Sequence, residues 1–179
     1  MTAVIGNPDI LRKIVKNEID FDAQVQMCGV DLTVSRIEQF VDETFREYMP
    51  RLDFDNSNRK FGKTIHCPYF IDGEEGNIEL DVCYEIPPGT YLVRYNEEIN
   101  VPKNAMGIVY PRSSLMRMGS TLQSAIWDPG YKGQGCGLLI VGSSIIIQKN
   151  AKIGQIVFFT TDAQKEYNGI FQNERTDKE

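Results

Sequence analysis

Three stretches of the chain carry side chains whose types and spacing can do chemistry. The first is Pro111-Arg112-Ser113-Ser114-Leu115-Met116-Arg117, which follows an apolar run. Two guanidinium forks, two hydroxyls and the amides of a turn form a donor set suited to phosphate oxygens. The same residues also read as a helix start, with Ser113 as cap and Leu115 and Met118 facing a core. The second stretch, Ala125-Ile126-Trp127-Asp128-Pro129-Gly130-Tyr131-Lys132-Gly133, sets Asp128 before a Pro-Gly turn. An Asp in that place can satisfy its own turn amides, or it can orient a water as a general base. Trp127 reads as core, and Tyr131 either packs on a ring-shaped ligand or caps the core. The third is Gln155, alone in the apolar run AKIGQIVFF. A buried amide needs partners, and these can be protein groups or ligand oxygens.

The elements that must position these groups are mostly strands. Asn7-Pro8-Asp9 followed by Ile10, Leu11, Ile14 and Val15 predicts a capped helix over about 8–17, lying across a sheet. Residues 23–34 predict one strand, with Gly29 as a bulge or a close backbone approach. Residues 36–78 mix charge and aromatics without a clear period. Turns are expected at Asp72-Gly73 and Gly76-Asn77, and Phe40, Phe45, Tyr48 and Phe54 read as packing residues. From 78 onward IELDVCYEI, TYLVRYNEEI, MGIVYPR, CGLLIV, SSIIIQ and AKIGQIVFFT follow one another with Gly, Pro and Asn between them. Short alternating strands at that density argue for an all-β barrel or sandwich, because a parallel sheet would need intervening helices. The tail after 161 is polar and charged around an aromatic island, YNGIF, at 167–171. The island reads as docking on the domain surface, and the last residues as disordered.

Composition narrows the function classes. The chain has 179 residues, the size of one domain, and 19 Lys and Arg against 25 Asp and Glu leave a formal charge of −6. That balance argues against a nucleic-acid polymer as partner. Four cysteines, at 28, 67, 83 and 136, include no C-x-x-C pair, and there is a single His66, so a structural zinc site is not expected. The cysteines read as buried thiols in a reducing, cytoplasmic setting. No signal peptide or membrane span is expected from the apolar run lengths. There is no G-x-x-x-x-G-K-[ST] loop and no G-x-S-x-G elbow, and GYKGQGCG lies between β segments rather than between a strand and a helix.

Taken together the segments resemble the dUTPase and dCTP deaminase superfamily, and its archaeal dUTPase branch most. Gly29-Val30-Asp31-Leu32 resembles the first family motif and PRSSLMRMG at 111–119 the second. AIWDPGYKG at 125–133 resembles the third, AKIGQIVFF at 151–159 the fourth, and YNGIFQ at 167–172 the short C-terminal motif. The helix at the start and QVQ at 24–26 also match. The resemblance implies an all-β β-clip, a distorted jelly roll, with a short N-terminal helix, assembled as a homotrimer with active sites between subunits. It implies one domain over 1–161 and a flexible lid over 162–179.

It further implies hydrolysis of dUTP to dUMP and pyrophosphate. Asp128 would be the catalytic base. Arg112, Ser113, Ser114, Arg117 and Gln155 would hold phosphates. Ser124, Ile126 and Tyr131 would lie at base and sugar, and Tyr167, Gly169, Phe171 and Gln172 would belong to the lid. Mg²⁺ would be held through the triphosphate and water, with no direct protein ligand. Asp31 would support the fold or the subunit contact. The superfamily's deaminases carry a Glu ten residues beyond the Asp, where this chain has Leu138. A side chain without an ionisable group cannot shuttle a proton, and the H-x-E and C-x-x-C signatures of zinc deaminases are also missing. Two other departures are Gly130, where many dUTPases have a second acid, and Ile170, where the tail motif often has a basic residue for which Lys165 is a substitute. The alternatives are a dCTP deaminase, alone or bifunctional, and a non-catalytic nucleotide sensor on the same scaffold.

Overall fold

The computed structural model describes residues 3–45, 47–72 and 81–176. The chain begins with α1 (Pro8–Ile14), capped by the Asn7 side chain, which accepts from the amides of Asp9 and Ile10. Leu11 and Ile14 are buried beneath it. The helix stops three residues short of the expected end. Val15 and Lys16 leave it as β1 (Val15–Lys16) to pair with β8 (Glu98–Asn100), and Asn17 then turns the chain at φ 59°. The β-branched Val15 loses less side-chain freedom in a strand than in a helix end.

The expected single strand over 23–34 is three elements. Residues α2 (Phe21–Gln24) form a short turn capped by Asp20, β2 (Val25–Gln26) follows, and β3 (Gly29–Phe40) returns against it. Asp20 accepts from the Ala23 amide and so closes a helical turn that the alternation of the sequence does not show. The close-approach reading of Gly29 holds. A Cβ there would overlap the carbonyl of Ile156 on the neighbouring strand.

The remaining strands are β4 (Thr64–His66), β5 (Phe70–Asp72), β6 (Asp81–Ile86), β7 (Gly89–Tyr95), β9 (Ala105–Pro111), β10 (Ser120–Gln123), β11 (Lys132–Gly133), β12 (Cys136–Val141), β13 (Ile145–Gln148) and β14 (Lys152–Thr160). The main sheet runs β10-β12-β7-β3-β14-β9, with β2 and β4 also on β3. Its edge strands β9 and β10 lie against each other, so the sheet curls into a nearly closed barrel. Two small sheets, β1-β8-β11 and β13-β6-β5, flank it. The strand pairings among the described residues are antiparallel, with one isolated parallel bridge from Gly133 to Glu174, and alternation sends Val93, Tyr95, Val109, Leu122, Leu139, Ile156 and Phe158 inward. The all-β expectation is met.

Four smaller expectations are not. Phe45, Tyr48 and Phe54 are exposed, because residues 41–45 and 47–63 leave the barrel as an arm instead of filling it, and Phe40 is exposed at the end of β3 where the arm departs. Met118 is exposed while Leu115 is buried, since α3 (Ser113–Arg117) is one turn long and turns only one side chain inward. Its N-cap is Arg112, without a side-chain cap bond, and Ser113 is the first helical residue. Cys28 is exposed on the β2–β3 turn, whereas Cys67 and Cys83 are buried and Cys136 is half-buried. No disulfide links any two of them among the described residues. The turns expected at Gly73 and Gly76-Asn77 lie outside the described residues. No helix among the described residues is long and apolar enough to cross a membrane.

Candidate active site

Asp128 is positioned by backbone pinned on both sides. Before it, Trp127 exchanges two hydrogen bonds with Gly107 on β9, at 2.9 and 2.8 Å. After it, Gly130 donates to Val101 O at 3.1 Å, Val101 donates to Tyr131 O at 2.8 Å, and β11 pairs with β8. The turn itself is closed by Tyr131 N–H on Asp128 O at 3.1 Å, with Pro129 and then Gly130 at φ 79° in the middle. Pro followed by a left-handed Gly is the signature of a type II turn. The turn is therefore made by the backbone of Asp128, not by its side chain. The carboxylate is exposed and takes no hydrogen bond or ion pair among the described residues. Of the two readings of this residue, the one in which it satisfies its own turn amides is not what the structure shows.

The Asp128 side chain opens on a cavity of about 640 Å³. Ala125, Ile126, Trp127, Asp128 and Tyr131 line it from the 125–131 segment, and Leu92, Arg94 and Cys136 from β7 and β12. Tyr167, Phe171 and Glu174 line it from the tail. Edge-on aromatic contacts link the wall: Trp127 to Tyr131 at 5.2 Å and Tyr131 to Tyr167 at 5.5 Å between ring centroids. Ser124 does not line the cavity. Its hydroxyl accepts from Trp127 Nε1 at 3.2 Å and donates to Ala125 O at 2.6 Å, so it orients the indole. Ile126 is 58% exposed at the cavity.

The tail is docked along the 129–134 segment. Tyr167 N–H donates to Pro129 O at 2.7 Å, Asn173 N–H to Lys132 O at 2.8 Å, and Gln134 N–H to Glu174 O at 3.0 Å. Gln172 bridges, donating to Gly130 O at 2.9 Å and accepting from Lys132 N–H at 3.0 Å. Tyr131 donates its phenol to Glu174 Oε1 at 2.7 Å, and burial together with this acceptor pushes the phenol's pKa up. Gly169 sits where a Cβ would overlap the Tyr167 hydroxyl, which itself accepts from Phe171 N–H at 3.2 Å. The docking expected of the aromatic island is present.

Arg112, Ser113, Ser114, Arg117 and Gln155 are brought together with one another but not with Asp128. The first four form the α3 turn at the end of β9, and Gln155 stands beside it, paired with Tyr110 and Asp31. Arg112 Nε is 3.5 Å from Asp31 Oδ2, and Gln26 Nε2 donates to the same oxygen at 3.2 Å. Burial pushes the Asp31 carboxyl up, with Arg112 and Lys152 opposing it. Arg117 donates to Ser113 Oγ at 3.3 Å. Gly107, which bridges to Trp127, and Arg112 are five residues apart on extended chain, about 17 Å between their Cα positions, and none of Arg112, Ser113, Ser114, Arg117 and Gln155 lines the cavity that Asp128 faces.

Sequence reasoning missed one whole wall of the cavity: Phe40, Arg59, Phe61, Gly62 and Thr64, together with Arg94 and Glu174. Behind it lies Glu38, which is buried and accepts from Arg36 Nε at 2.8 Å, Arg94 Nε at 3.2 Å and Thr64 Oγ1 at 2.6 Å. Alternating charges at 36 and 38 were a visible signal, but their meaning depends on the register that sets Arg94 beside them. No group of three or more His, Cys, Asp or Glu is arranged to hold a metal among the described residues. A single unpaired carboxylate at a cavity suits a divalent cation that arrives with most of its oxygen ligands already on a phosphate chain.

Comparison with known proteins agrees with this architecture. Residues 4–161 match the family model described as dCTP deaminase-like. The chain is 36% identical over 167 residues to a probable deoxyuridine 5'-triphosphate nucleotidohydrolase of Methanosarcina acetivorans, covering 91% of this chain and 89% of that one. It is 40% identical over 152 residues to the deoxyuridine 5'-triphosphate nucleotidohydrolase of Methanocaldococcus jannaschii, covering 84% and 88%. Among solved structures, the 2'-deoxycytidine 5'-triphosphate deaminase from Agrobacterium tumefaciens shares the fold with a TM-score of 0.56 at 20% identity, over 89% of this chain and about half (48%) of that one. With the family model spanning most of its length and these relatives aligned nearly end to end, the chain belongs to the dCTP deaminase-like family.

Proposed function

We propose that this protein hydrolyses dUTP to dUMP and pyrophosphate, with Asp128 as the base that orients and deprotonates the attacking water. The relatives named as deoxyuridine triphosphate nucleotidohydrolases support the substrate and the reaction. The observation that carries the mechanism is the free Asp128 carboxylate. It is held on a hydrogen-bonded turn at the mouth of an apolar cavity, with no partner among the described residues to satisfy it.

In this reading the pyrimidine and deoxyribose occupy the cavity. Ile126 and the backbone of 124–131 face the base, and Tyr131, fixed by Glu174, packs on the sugar where a 2′-hydroxyl would crowd it. The phosphates reach Arg112, Ser113, Ser114, Arg117 and Gln155. None of these residues lines the cavity that Asp128 faces, which supports a second copy as their source and, with the family resemblance, a homotrimer with its sites between subunits as the working unit. Arg112 is held by Asp31 and Arg117 by Ser113 before substrate arrives, and donors fixed in advance stabilise charge developing in a transition state. Mg²⁺ accompanying the triphosphate would sit near Asp128 through water and supply charge neutralisation on the phosphate oxygens. Tyr167, Gly169, Phe171 and Gln172 belong to a lid formed by 162–179, which excludes bulk water when closed. The setting is cytoplasmic, and no nucleic-acid polymer is a partner.

The test is a panel of deoxynucleoside triphosphates with Mg²⁺, assayed for pyrophosphate and for ammonia. Pyrophosphate from dUTP, lost in Asp128→Asn, is the expected result, and wild-type turnover in that variant would refute the assignment. A deaminase reading draws on the family description, and ammonia from dCTP would establish it. Against it, Leu138 lies half-buried on β12 opposite Leu92, with no carboxylate at that position.

A further inference from the structure

We infer that Phe61, carried on the arm formed by residues 41–45 and 47–63, is a positioning residue that holds the C-terminal tail over the cavity through Phe171. The inference rests on the reading of the tail as a lid, and it assigns a role to a segment whose sequence shows no period.

The arm is a built structure. Val41 N–H donates to Lys63 O at 2.9 Å, and Arg51 and Lys60 exchange two backbone hydrogen bonds, each at 2.9 Å. Lys63 and Glu43 pair at 2.9 Å. At its tip Asp53 accepts from the Asn58 amide at 2.7 Å and from the Asn58 side chain at 3.0 Å. At its root β4 pairs with the end of β3, and Thr64 donates to the buried Glu38. Gly62 lets the returning strand pass close to the Phe40 ring, which a Cβ would meet at 3.2 Å. Residues 59–62 are thus held in place from both ends.

What the arm presents there is an aromatic ring. Phe61 is 53% exposed and lines the cavity, with Arg59 Cζ 5.2 Å from its ring centroid. The Phe61 ring meets Phe171 at 5.5 Å between centroids and 52° between planes. The hydrogen bonds of Tyr167, Gln172, Asn173 and Glu174 tie the tail to the 129–134 segment, and Phe171 meets the arm instead. Two anchors on separate elements hold a segment across an opening, whereas one lets it swing. The sequence motif explains Phe171 as part of the tail but says nothing of what receives it.

The test compares Phe61→Ala, Phe61→Tyr, Phe171→Ala and the double alanine variant, with two readouts. Hydrogen exchange without nucleotide follows the amides of Tyr167 and Asn173. Steady-state kinetics with dUTP gives kcat and KM separately. Phe61→Ala is expected to speed tail exchange about three- to tenfold, the range for losing one aromatic pair, and to raise KM by a similar factor with kcat within about twofold. Phe61→Tyr should restore both, and adding Phe61→Ala to Phe171→Ala should change little further. Unchanged tail exchange in Phe61→Ala, or fully additive effects in the double variant, would overturn the inference. Unchanged exchange in β3 and β7 shows that the barrel is intact. Should Phe61→Ala not fold, Phe171→Ala and Phe61→Tyr carry the same comparison. Tail exchange needs no substrate, so a failure to hydrolyse dUTP would sink the functional reading and leave the clasp to be judged on its own.

Discussion

Glu38 is the charge on which the unforeseen wall of the cavity depends, and its removal has a calculable pH signature. The side chain is 3% exposed, yet it is surrounded by Thr64, Arg94 and Arg36. Burial pushes its carboxyl up, and the bonds from Thr64, Arg94 and Arg36 together outweigh that, holding the group down at about 2 against an ordinary 4.5. A displacement of that size corresponds to roughly 3 kcal/mol, reduced to about 2–3 because the arginine partners retain some contact with water. The folded-state value lies below the unfolded one. The contribution is therefore fully present above pH 4.5 and is lost as pH falls toward 2. Glu38→Gln keeps the shape and removes the charge. At pH 7 it should cost about 2–3 kcal/mol in urea unfolding, or roughly 5–10 °C in melting temperature for a chain this long. The comparison must be made at matched protomer concentration, because assembly shifts apparent stability. Below pH 4.5 the gap between wild type and variant should narrow, and near pH 2 it should close. A gap that stays constant from pH 7 to pH 2.5, or one below about 0.5 kcal/mol at pH 7, would refute the account of Glu38 as a buried ionised hub.

Other outcomes follow from the same geometry. Asp128→Asn should lower kcat for dUTP by roughly 10²–10⁴ with melting unchanged, as expected when a base is lost from an exposed turn. Arg112→Ala should weaken triphosphate binding more than monophosphate binding, measured by calorimetry. It should also cost about 1–2 kcal/mol of stability, because Asp31 stays buried with only Lys152 left as a nearby cation. Tyr131→Phe removes a charge-assisted hydrogen bond to Glu174, so tail exchange should rise about tenfold, and no rise would show that the bond does not secure the tail. Gly29→Ala should destabilise by at least about 2 kcal/mol, since the new methyl meets a strand carbonyl that cannot rotate away, and wild-type stability would refute the close approach.

What could be read in advance followed a simple physical line. Local chemistry that needs only neighbours in the chain was legible. Examples are the Asn7 cap, the Pro129-Gly130 turn that presents Asp128, the glycine at a strand crossing and the alternation from residue 81 onward. The aromatic tail was legible as something that docks, because exposed rings at that density are costly to leave in water. Cases decided by a competing short-range bond were misread. Asp20 closes a turn inside what alternates like a strand, and Val15 leaves the helix once a partner strand is available. The arm was illegible because its aromatics mimic a core pattern while lying outside the barrel.

By itself, then, the amino-acid order determined the all-β class, the identity of the groups able to do chemistry and the turn that displays the carboxylate. Those are properties of residue type, backbone preference and short spacing. Only the tertiary structure decided that the segment carrying Asp128 bridges β9 at Gly107 while the Arg112 cluster lies beyond the far end of that strand. It alone brought Arg94 and Thr64 onto the buried Glu38, and set a ring from the arm against a ring near the end. Strand register and chain reversal produce these relations, and both are settled by packing of segments distant in sequence, to which no local pattern has access.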